Sequence, residues 1–435
     1  MFKLLRRQVS SKYACLVNRI QLSEFDKLSP EEVVSITGRI DGIRTFGDKL
    51  FFFDITEGEH KVQAICSQAS FLDLEGWKKV EGLKRGDIVE AHGHYDKTST
   101  IKTFAVNLLT PSHLNLPTRH KPIADPFLMA TARHLDLICS PEKIATFKKR
   151  SRIVQQIRSF LDEKGFLEVE TPILMPGPET STPRPFQTKN WRSEPLSLRI
   201  APELYLKQLV VGGIPRVYEL GKVFRDEGVD PTHLPEFTAL EAYMAYEGLE
   251  QMMSLTEDLL AEICIKNEVG WNPPFPRIEM IPFLERVTES KLKDLLNQPK
   301  DSSDSQQKEK RLDELIERHL LPLTLKRPIF FCGYPSWMSP FAKQTEDGLT
   351  ADRFELHAGG LELANAYVEQ DDPQAQRTAL LSNNSTLSPS EEHFIEVLKA
   401  GMPPTTGLGI GIDRLVMLML GLKNICDSVF FPIHR

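Results

Sequence analysis

Three runs of this chain carry residue types suited to chemistry on phosphate. The first is Arg225-Asp226-Glu227, followed by His233 and then Glu236-Phe237. A guanidinium is a planar fork of five donors and can clamp a phosphate with two of them. An aromatic ring a dozen residues on can stack on a base, and His233, between them, can meet a second phosphate. The second run is GLGIGIDRLVMLMLG, residues 407–421. Its glycines do not make a dinucleotide loop, because no βαβ unit leads into them and an Asp-Arg pair opens an apolar helix. Small residues in a strand instead let a flat ligand lie against the backbone, and Arg414 at the helix start would face it. The third run holds Glu355 and Glu362, then Asn365, Tyr367 and Glu369. In a strand, 365, 367 and 369 share one face, which gathers an amide, a phenol and a carboxylate. The two carboxylates upstream suit magnesium, which takes carboxylates together with substrate phosphates. Each run also has a plainer reading: a charge cluster in a hairpin loop, a packed strand–helix joint, and a solvent-facing strand edge. No nucleophile–base pair accompanies them.

These runs need elements to hold them, and the hydropathy pattern predicts an α+β protein. Residues 31–112 read as a small β domain: VVSITGRI, LFFFDIT, HKVQAIC and DIVEAHGHY are short β-rich runs with close breaks. About five strands in about 80 residues suit a Greek-key barrel such as the OB-fold, a frequent binder of single-stranded nucleic acid. Gly38 and Gly93 fall inside strand-like runs, where barrel bends need them. Of the consecutive Phe51, Phe52 and Phe53, alternation turns at least one to the opposite face from its neighbours. Residues 113–141 form a Pro- and His-bearing connection, and a helix follows, with Ile144, Phe147, Ile153, Ile157 and Phe160 on its apolar stripe. From 142 to 435 strands and helices mix without regular alternation, which favours an antiparallel sheet flanked by helices. Residues 297–311, NQPKDSSDSQQKEKR, are so polar that a mobile surface insertion is expected.

Composition narrows the class. The 435 residues are 41% hydrophobic and 26% charged, with a net charge of −7. That excludes a uniformly basic nucleic-acid coat but not a local basic patch. No apolar run approaches a membrane span, so no membrane partner is expected. The six cysteines are scattered with no CxxC pair, which disfavours a zinc site or disulfide framework. Residues 1–23 carry five basic side chains and no acid, the composition of a mitochondrial presequence. The rival is an RNA-contacting arm on a cytoplasmic protein.

At these runs the chain resembles the class II aminoacyl-tRNA synthetases, most closely their lysine branch, over roughly residues 33–433. SRIVQQIRSFLDEKGFLEVETPIL resembles motif 1 of that class, at its dimer interface. RVYELGKVFRDEGVDPTHLPEFTALEAYMAY resembles motif 2, and GLGIGIDRLVML motif 3. RIAPELYLKQLVVGG, YPSWMSPFAK and FELHAGGLELAN are similar to the lysine branch in particular. The resemblance implies an OB-fold that holds the tRNA anticodon, with Arg39, Phe52 and Gln63 at the reading positions, and a catalytic domain on an antiparallel sheet. It implies ATP as substrate, magnesium, tRNA(Lys) and lysine as partners, and a homodimer. Arg225 and Arg414 would be catalytic. Glu227, His233 and Phe237 would join them in binding ATP, and Glu355 and Glu362 would hold the metal. Glu203, Tyr243 and Glu369 would receive the lysine ammonium, Glu241 the α-amino group and Asn365 the carboxylate, with Tyr367 lining the same pocket. Two departures stand out: Glu179-Thr180 replaces a usual glycine pair, and Ala364 and Ala366 replace usual glycines, so their methyls are expected to narrow the pocket. Ala364 is similar to a related ligase that attaches β-lysine to an elongation factor. The N-terminal barrel argues against that alternative. Retention of Arg225, Glu355, Glu362 and Arg414 argues against a non-catalytic tRNA-binding paralogue.

Overall fold

A computed structural model describes residues 18–29, 31–71, 74–96, 99–118, 120–177, 183–299, 302–383 and 386–433. Glu179-Thr180 and residues 1–17 of the proposed presequence lie outside these. The chain divides into two compact units, Met1–Lys148 and Lys149–Arg435.

In the first unit the β-branched and aromatic runs pair as expected. The strands are β1 (Asn18–Ile20), β2 (Val33–Thr45), β3 (Leu50–Glu57), β4 (His60–Ser67), β5 (Ile88–Asp96) and β6 (Thr100–Thr110). Their order is β1-β2-β3-β4-β6-β5, and β5 pairs back onto β2. That closure makes a five-stranded barrel of OB-fold topology and leaves no free edge in the ring. Inward-facing Ile36, Ile40, Phe53, Ile55, Val62, Ala64 and Ala91 fill it, and Trp77 of the helix Leu74–Glu81 packs with them. Gly38 and Gly93 sit where strands press closest: a Cβ on either would lie 2.6 Å from the Ile55 side chain or the Lys102 carbonyl oxygen, respectively.

The span 1–23 read as a presequence cuts into this barrel. Asn18–Ile20 pairs in parallel with Val34–Ile36, and Leu22 is buried in the barrel core beside Phe25. A polar, basic stretch hid those few anchoring residues. Two helices, Pro126–Thr131 and Arg133–Cys139, form within 113–141. Asp125 caps the first by accepting from the Phe127 amide at 2.9 Å.

The second unit is built on eight strands: β7 (Leu167–Glu168), β11 (Arg216–Phe224), β12 (Glu236–Ala245), β13 (Arg277–Glu279), β14 (Ile329–Cys332), β15 (Arg353–Ala358), β16 (Leu361–Val368) and β17 (Thr405–Gly411). The intervening β8 (Leu174–Pro176), β9 (Gln187–Lys189) and β10 (Pro195–Leu198) form a separate three-stranded sheet. The large sheet runs β13-β14-β15-β16-β17-β12-β11-β7, and every pairing from β14 to β11 is antiparallel. Its core face meets the helices Glu142–Glu163, Leu249–Lys266 and Ile412–Met419 through Ile153, Ile157, Leu259, Ile263, Leu415 and Val416. The architecture is the α+β class expected from the absence of strand–helix alternation.

Within the segment expected to be a mobile surface insertion, residues 302–311 are helical. A helix, Ser302–Leu315, runs through them and seats Leu312 in a core with Leu284, Leu292 and Leu295. Lys308 donates to the Asn297 carbonyl at 2.9 Å and Arg311 to Asp294 at 2.8 Å. One buried leucine per few turns is too sparse a pattern to stand out in sequence, yet it suffices when neighbouring elements supply the rest of the core.

Candidate active site

Three adjacent strands make the floor of a cavity of about 350 Å³. Register sets its rows. Glu241 of β12 lies opposite Gly409 of β17, which lies opposite Asn365 of β16. One step along, Tyr243, Gly407 and Tyr367 form a second row. Because side chains alternate, Phe237, Ala239, Glu241 and Tyr243 of β12, Gly407, Gly409 and Gly411 of β17 and Asn365 and Tyr367 of β16 face the cavity, and an irregularity in the pairing of β15 with β16 beside Leu363 brings Glu362 to the same side. Gly409 leaves its row open: a Cβ there would meet nothing closer than 3.9 Å. The glycines therefore form a flat central strip between two polar walls.

One end of the cavity is cationic. Arg225 follows β11, its amide donating 2.8 Å to the Pro235 carbonyl across the hairpin neck. Its guanidinium lies 5.3 Å above the Phe237 ring, a cation–π contact. Arg414, two residues into its helix, donates 2.8 Å to the Glu362 carbonyl and reaches His233 at 2.6 Å. Its neighbour Asp413 is bound into the structure instead. That carboxylate pairs with Arg150 at 2.6 Å and accepts the Thr238 amide at 2.8 Å. The Asp-Arg pair thus splits into an anchor and a cavity-facing cation. Glu227 and His233 stand exposed at the mouth. Burial works against ionisation of Asp230, but hydrogen bonds from Thr232 and His233 hold it below the usual carboxylate range.

Glu355 and Glu362 have different surroundings. Glu355 is fully engaged: it pairs with Arg353, accepts 2.8 Å from Tyr334 and lies 2.8 Å from His357 Nε2. Burial opposes its charge, yet Arg353 and His357 prevail and hold it well below the usual range. Glu362 lines the cavity and is pushed up, by burial first and then by the Glu355 charge. Among the described residues no group of three or more His, Cys, Asp and Glu side chains gathers as a metal cage.

The other end is acidic. Glu203 opens the helix Glu203–Val211 and accepts 2.7 Å from the Tyr367 hydroxyl. Tyr243 donates 3.2 Å to Glu241. Glu241 is raised to about 8, chiefly by burial and then by the Glu203 charge. Glu369 is also raised to about 8 by burial, which the Lys207 ammonium only partly offsets. Eleven of the expected residues line this one cavity: Glu203, Arg225, Glu227, His233, Phe237, Glu241, Tyr243, Glu362, Asn365, Tyr367 and Arg414. Glu355 and Glu369 stand behind it.

Ala364 and Ala366 do not narrow the pocket. Both are buried in the core with Leu408 and Ile410, on the opposite face of β16 from Asn365 and Tyr367. Lys207 and Arg353, neither among the expected residues, also hold the site together. Arg353 donates 3.0 Å to Asn365 and 2.7 Å to Ser339, fixing the amide that faces the cavity. Lys207 sits 2.5 Å from Glu203 and 2.5 Å from Glu369. Its signal was a lysine inside the apolar run LYLKQLVV, four residues after Glu203.

The first unit presents its own candidate surface. Phe53, Ile55, Val62 and Ala64 point into the barrel, so Phe52 and Gln63 point out on one face with Arg39. Gln63 donates 3.4 Å to Asp54, and Arg39 donates 2.7 Å to the Gly86 carbonyl. Phe51 instead packs on Trp77 at 5.5 Å.

Residues 126–435 match the family model described as tRNA synthetases class II (D, K and N). The chain is 35% identical to the mitochondrial lysine–tRNA ligase of Schizosaccharomyces pombe, over 93% of this chain and 86% of that protein. It is 36% identical to the lysine–tRNA ligase of Dehalococcoides mccartyi, over 94% and 89%. With the corresponding protein of Carboxydothermus hydrogenoformans it shares 37% identity, over 95% and 91%.

Proposed function

We propose a function from the premise that the chain belongs to the class II tRNA synthetases of the aspartate, lysine and asparagine group: it activates lysine with ATP and transfers the lysyl group to tRNA. The observation that carries the amino-acid choice is the buried acidic end, where Glu203, Glu241 and Glu369 converge beside Tyr243 and Tyr367. Such a pocket demands cations, and a diamino acid supplies two.

In the first step the substrate carboxylate attacks the α-phosphorus of ATP in line and pyrophosphate leaves. No protein nucleophile is required, so the chain contributes position and charge. Phe237 stacks beneath adenine and Glu227 meets its edge. Arg225 spans the α-phosphate and the attacking carboxylate, Asn365 orients that carboxylate, and Glu241 takes the α-ammonium. Arg414 and His233 receive the outer phosphates. The flat strip at Gly409 lets the forming adenylate lie directly on the sheet. In the second step a ribose hydroxyl of tRNA attacks the acyl carbon and AMP leaves.

Magnesium fits this site in part. Glu362 faces the cavity with a carboxylate that burial and Glu355 make receptive to a cation, whereas the oxygens of Glu355 are already engaged by Arg353, Tyr334 and His357. A bound ion would neutralise charge on the ATP phosphates.

The outward face with Arg39, Phe52 and Gln63 would hold the anticodon, with Phe52 as a stacking platform. The exposed Leu167 of β7, at the sheet edge, with Ile173 and Leu174 favours a second copy as partner. The acid-free start supports a mitochondrial address. No described helix is long and apolar enough to cross a membrane.

The test is ATP–pyrophosphate exchange across the twenty amino acids, followed by charging of total tRNA. Exchange driven by lysine, and lysyl-tRNA as product, is expected. Exchange driven best by another amino acid overturns the assignment.

A further inference from the structure

Lys207 is the least expected cation in the second unit. It projects from the helix Glu203–Val211 and is 1% exposed. Its ammonium touches Glu203 Oε1 and Glu369 Oε2, each at 2.5 Å. Three aromatic rings surround it: Phe341 at 4.7 Å, Phe394 at 5.4 Å and Tyr367 at 5.5 Å. Burying an ammonium is costly unless it is paired, so this one is held by design of its surroundings. Apart from that ion pair at Oε2, the buried oxygens of Glu369 have no hydrogen-bond partner among the described residues. A carboxylate in that state has capacity left for another donor.

Charge makes the arrangement specific. Three carboxylates converge, from Glu203, Glu241 and Glu369, and Lys207 cancels one of them. Once a bound ligand has displaced the protons that burial holds on Glu241 and Glu369, two negative charges remain, the number that the α- and ε-ammonium groups of a diamino acid neutralise.

We propose that Lys207 is a positioning residue for lysine recognition: it fixes Glu203 and Glu369 relative to each other and sets the pocket charge to match two ammonium groups. This rests on the lysine-activating function above. Lys207 touches no substrate atom in this scheme and acts only through its two acids. The groups facing Glu369 are Lys207 and Glu203 from the helix, Glu241 and Tyr243 from β12, and Tyr367 from β16. Removing the single cation among them drives Glu369 further toward its protonated form. An ammonium ligand then binds only at higher pH.

The experiment is lysine- and ATP-dependent pyrophosphate exchange with the full chain, its Lys207→Met and Lys207→Arg variants, across about pH 6 to 9. Lys207→Met is expected to raise KM for lysine about tenfold or more. KM for ATP should stay within about twofold, and the acid limb of the lysine profile should move to higher pH. Lys207→Arg should keep the wild-type profile. A folded Lys207→Met enzyme with an unmoved profile, or with equal losses for both substrates, overturns the proposal while leaving lysine activation intact. Absence of lysine-driven exchange in the wild type overturns both. If Lys207→Met does not fold, Lys207→Met combined with Glu369→Gln decides. Recovery of folding shows that charge was the fault, as proposed, and continued failure shows that Lys207 only fills space.

Discussion

Arg414 and His233, 181 residues apart in sequence, meet at 2.6 Å, and the contact fixes the proton on the imidazole. A guanidinium can only donate, so His233 Nε2 must accept. The hydrogen therefore sits on Nδ1 and points to Asp230 at 2.8 Å. Arg414 is thereby steered across the mouth of the cavity toward Glu362.

Loss of either arginine should be severe. Arg225→Ala and Arg414→Ala are each expected to lower lysine-dependent pyrophosphate exchange by about 100-fold or more, the usual scale for removing a donor that meets developing charge. Circular dichroism should show an intact fold. A folded Arg225→Ala protein with near-normal exchange would refute the placement of the α-phosphate.

Glu369→Gln should separate the two substrates. KM for lysine is expected to rise about 10- to 150-fold, the equivalent of about 1.5–3 kcal/mol for a charged hydrogen bond. ATP affinity should change little. By the same reasoning norleucine, which lacks the second amine, should be strongly rejected by the wild type. Equal loss for ATP and lysine would make Glu369 a structural residue.

Lysine binding should release protons. In the empty pocket burial holds Glu241 and Glu369 at about 8, so at neutral pH they carry protons that an ammonium must displace. Affinity for lysine should therefore rise with pH up to about 8 and then level off. The folded-state values lie above the ordinary carboxylate range, so the empty enzyme loses stability as pH climbs from that range through about 8. Added lysine should raise the melting temperature more at about pH 8.5 than at about pH 6.5. Calorimetry in two buffers of different ionisation enthalpy measures the proton count, and a count of zero at neutral pH contradicts the assignment of these carboxylates to the ammonium groups.

Phe52→Ala should spare pyrophosphate exchange, which needs no tRNA, and weaken charging of tRNA by about 1–3 kcal/mol, the scale of one stacked base. Phe52 faces outward while Phe53 is buried, so the barrel should tolerate the change. Loss of both activities together would show that Phe52 supports the core.

Residues 1–17, fused to a fluorescent reporter, should carry it into mitochondria. Deleting 1–17 should leave the catalytic unit and its exchange activity intact, whereas deleting 1–23 removes β1 and the buried Leu22 and should destabilise the barrel. A diffuse reporter, with salt-dependent loss of tRNA binding on deletion, would favour an RNA-contacting arm.

Much of this was legible in the sequence because the physics is local. Alternation in EFTALEAYMA and TTGLGIG places Glu241, Tyr243, Gly407 and Gly409 on one face whatever their partners are. The barrel strands announce themselves by β-branched and aromatic runs. What escaped depends on partners remote in sequence. Ala364 and Ala366 look like pocket residues until β16 shows which face is buried. Lys207 looks like a solvated helix residue until Glu369, from beyond the other end of β16, closes over it. Helix Ser302–Leu315 looks mobile because its one deep anchor, Leu312, meets neighbours that the local sequence does not contain.

Gly407 carries a consequence for anyone wishing to redirect this chain to other amino acids. A methyl group there would press on the Glu369 carboxylate and stand 2.6 Å from the Tyr243 ring, so this end of the strip admits no side chain, whereas Gly409 has room for one. Libraries that vary position 407 would mostly return proteins with a blocked or displaced acidic end. Variation is better spent on the wall opposite, at Glu203 and Tyr367, where a shorter side chain leaves room rather than collision. The narrowest position in the cavity is thus the one that keeps its substrate range from drifting.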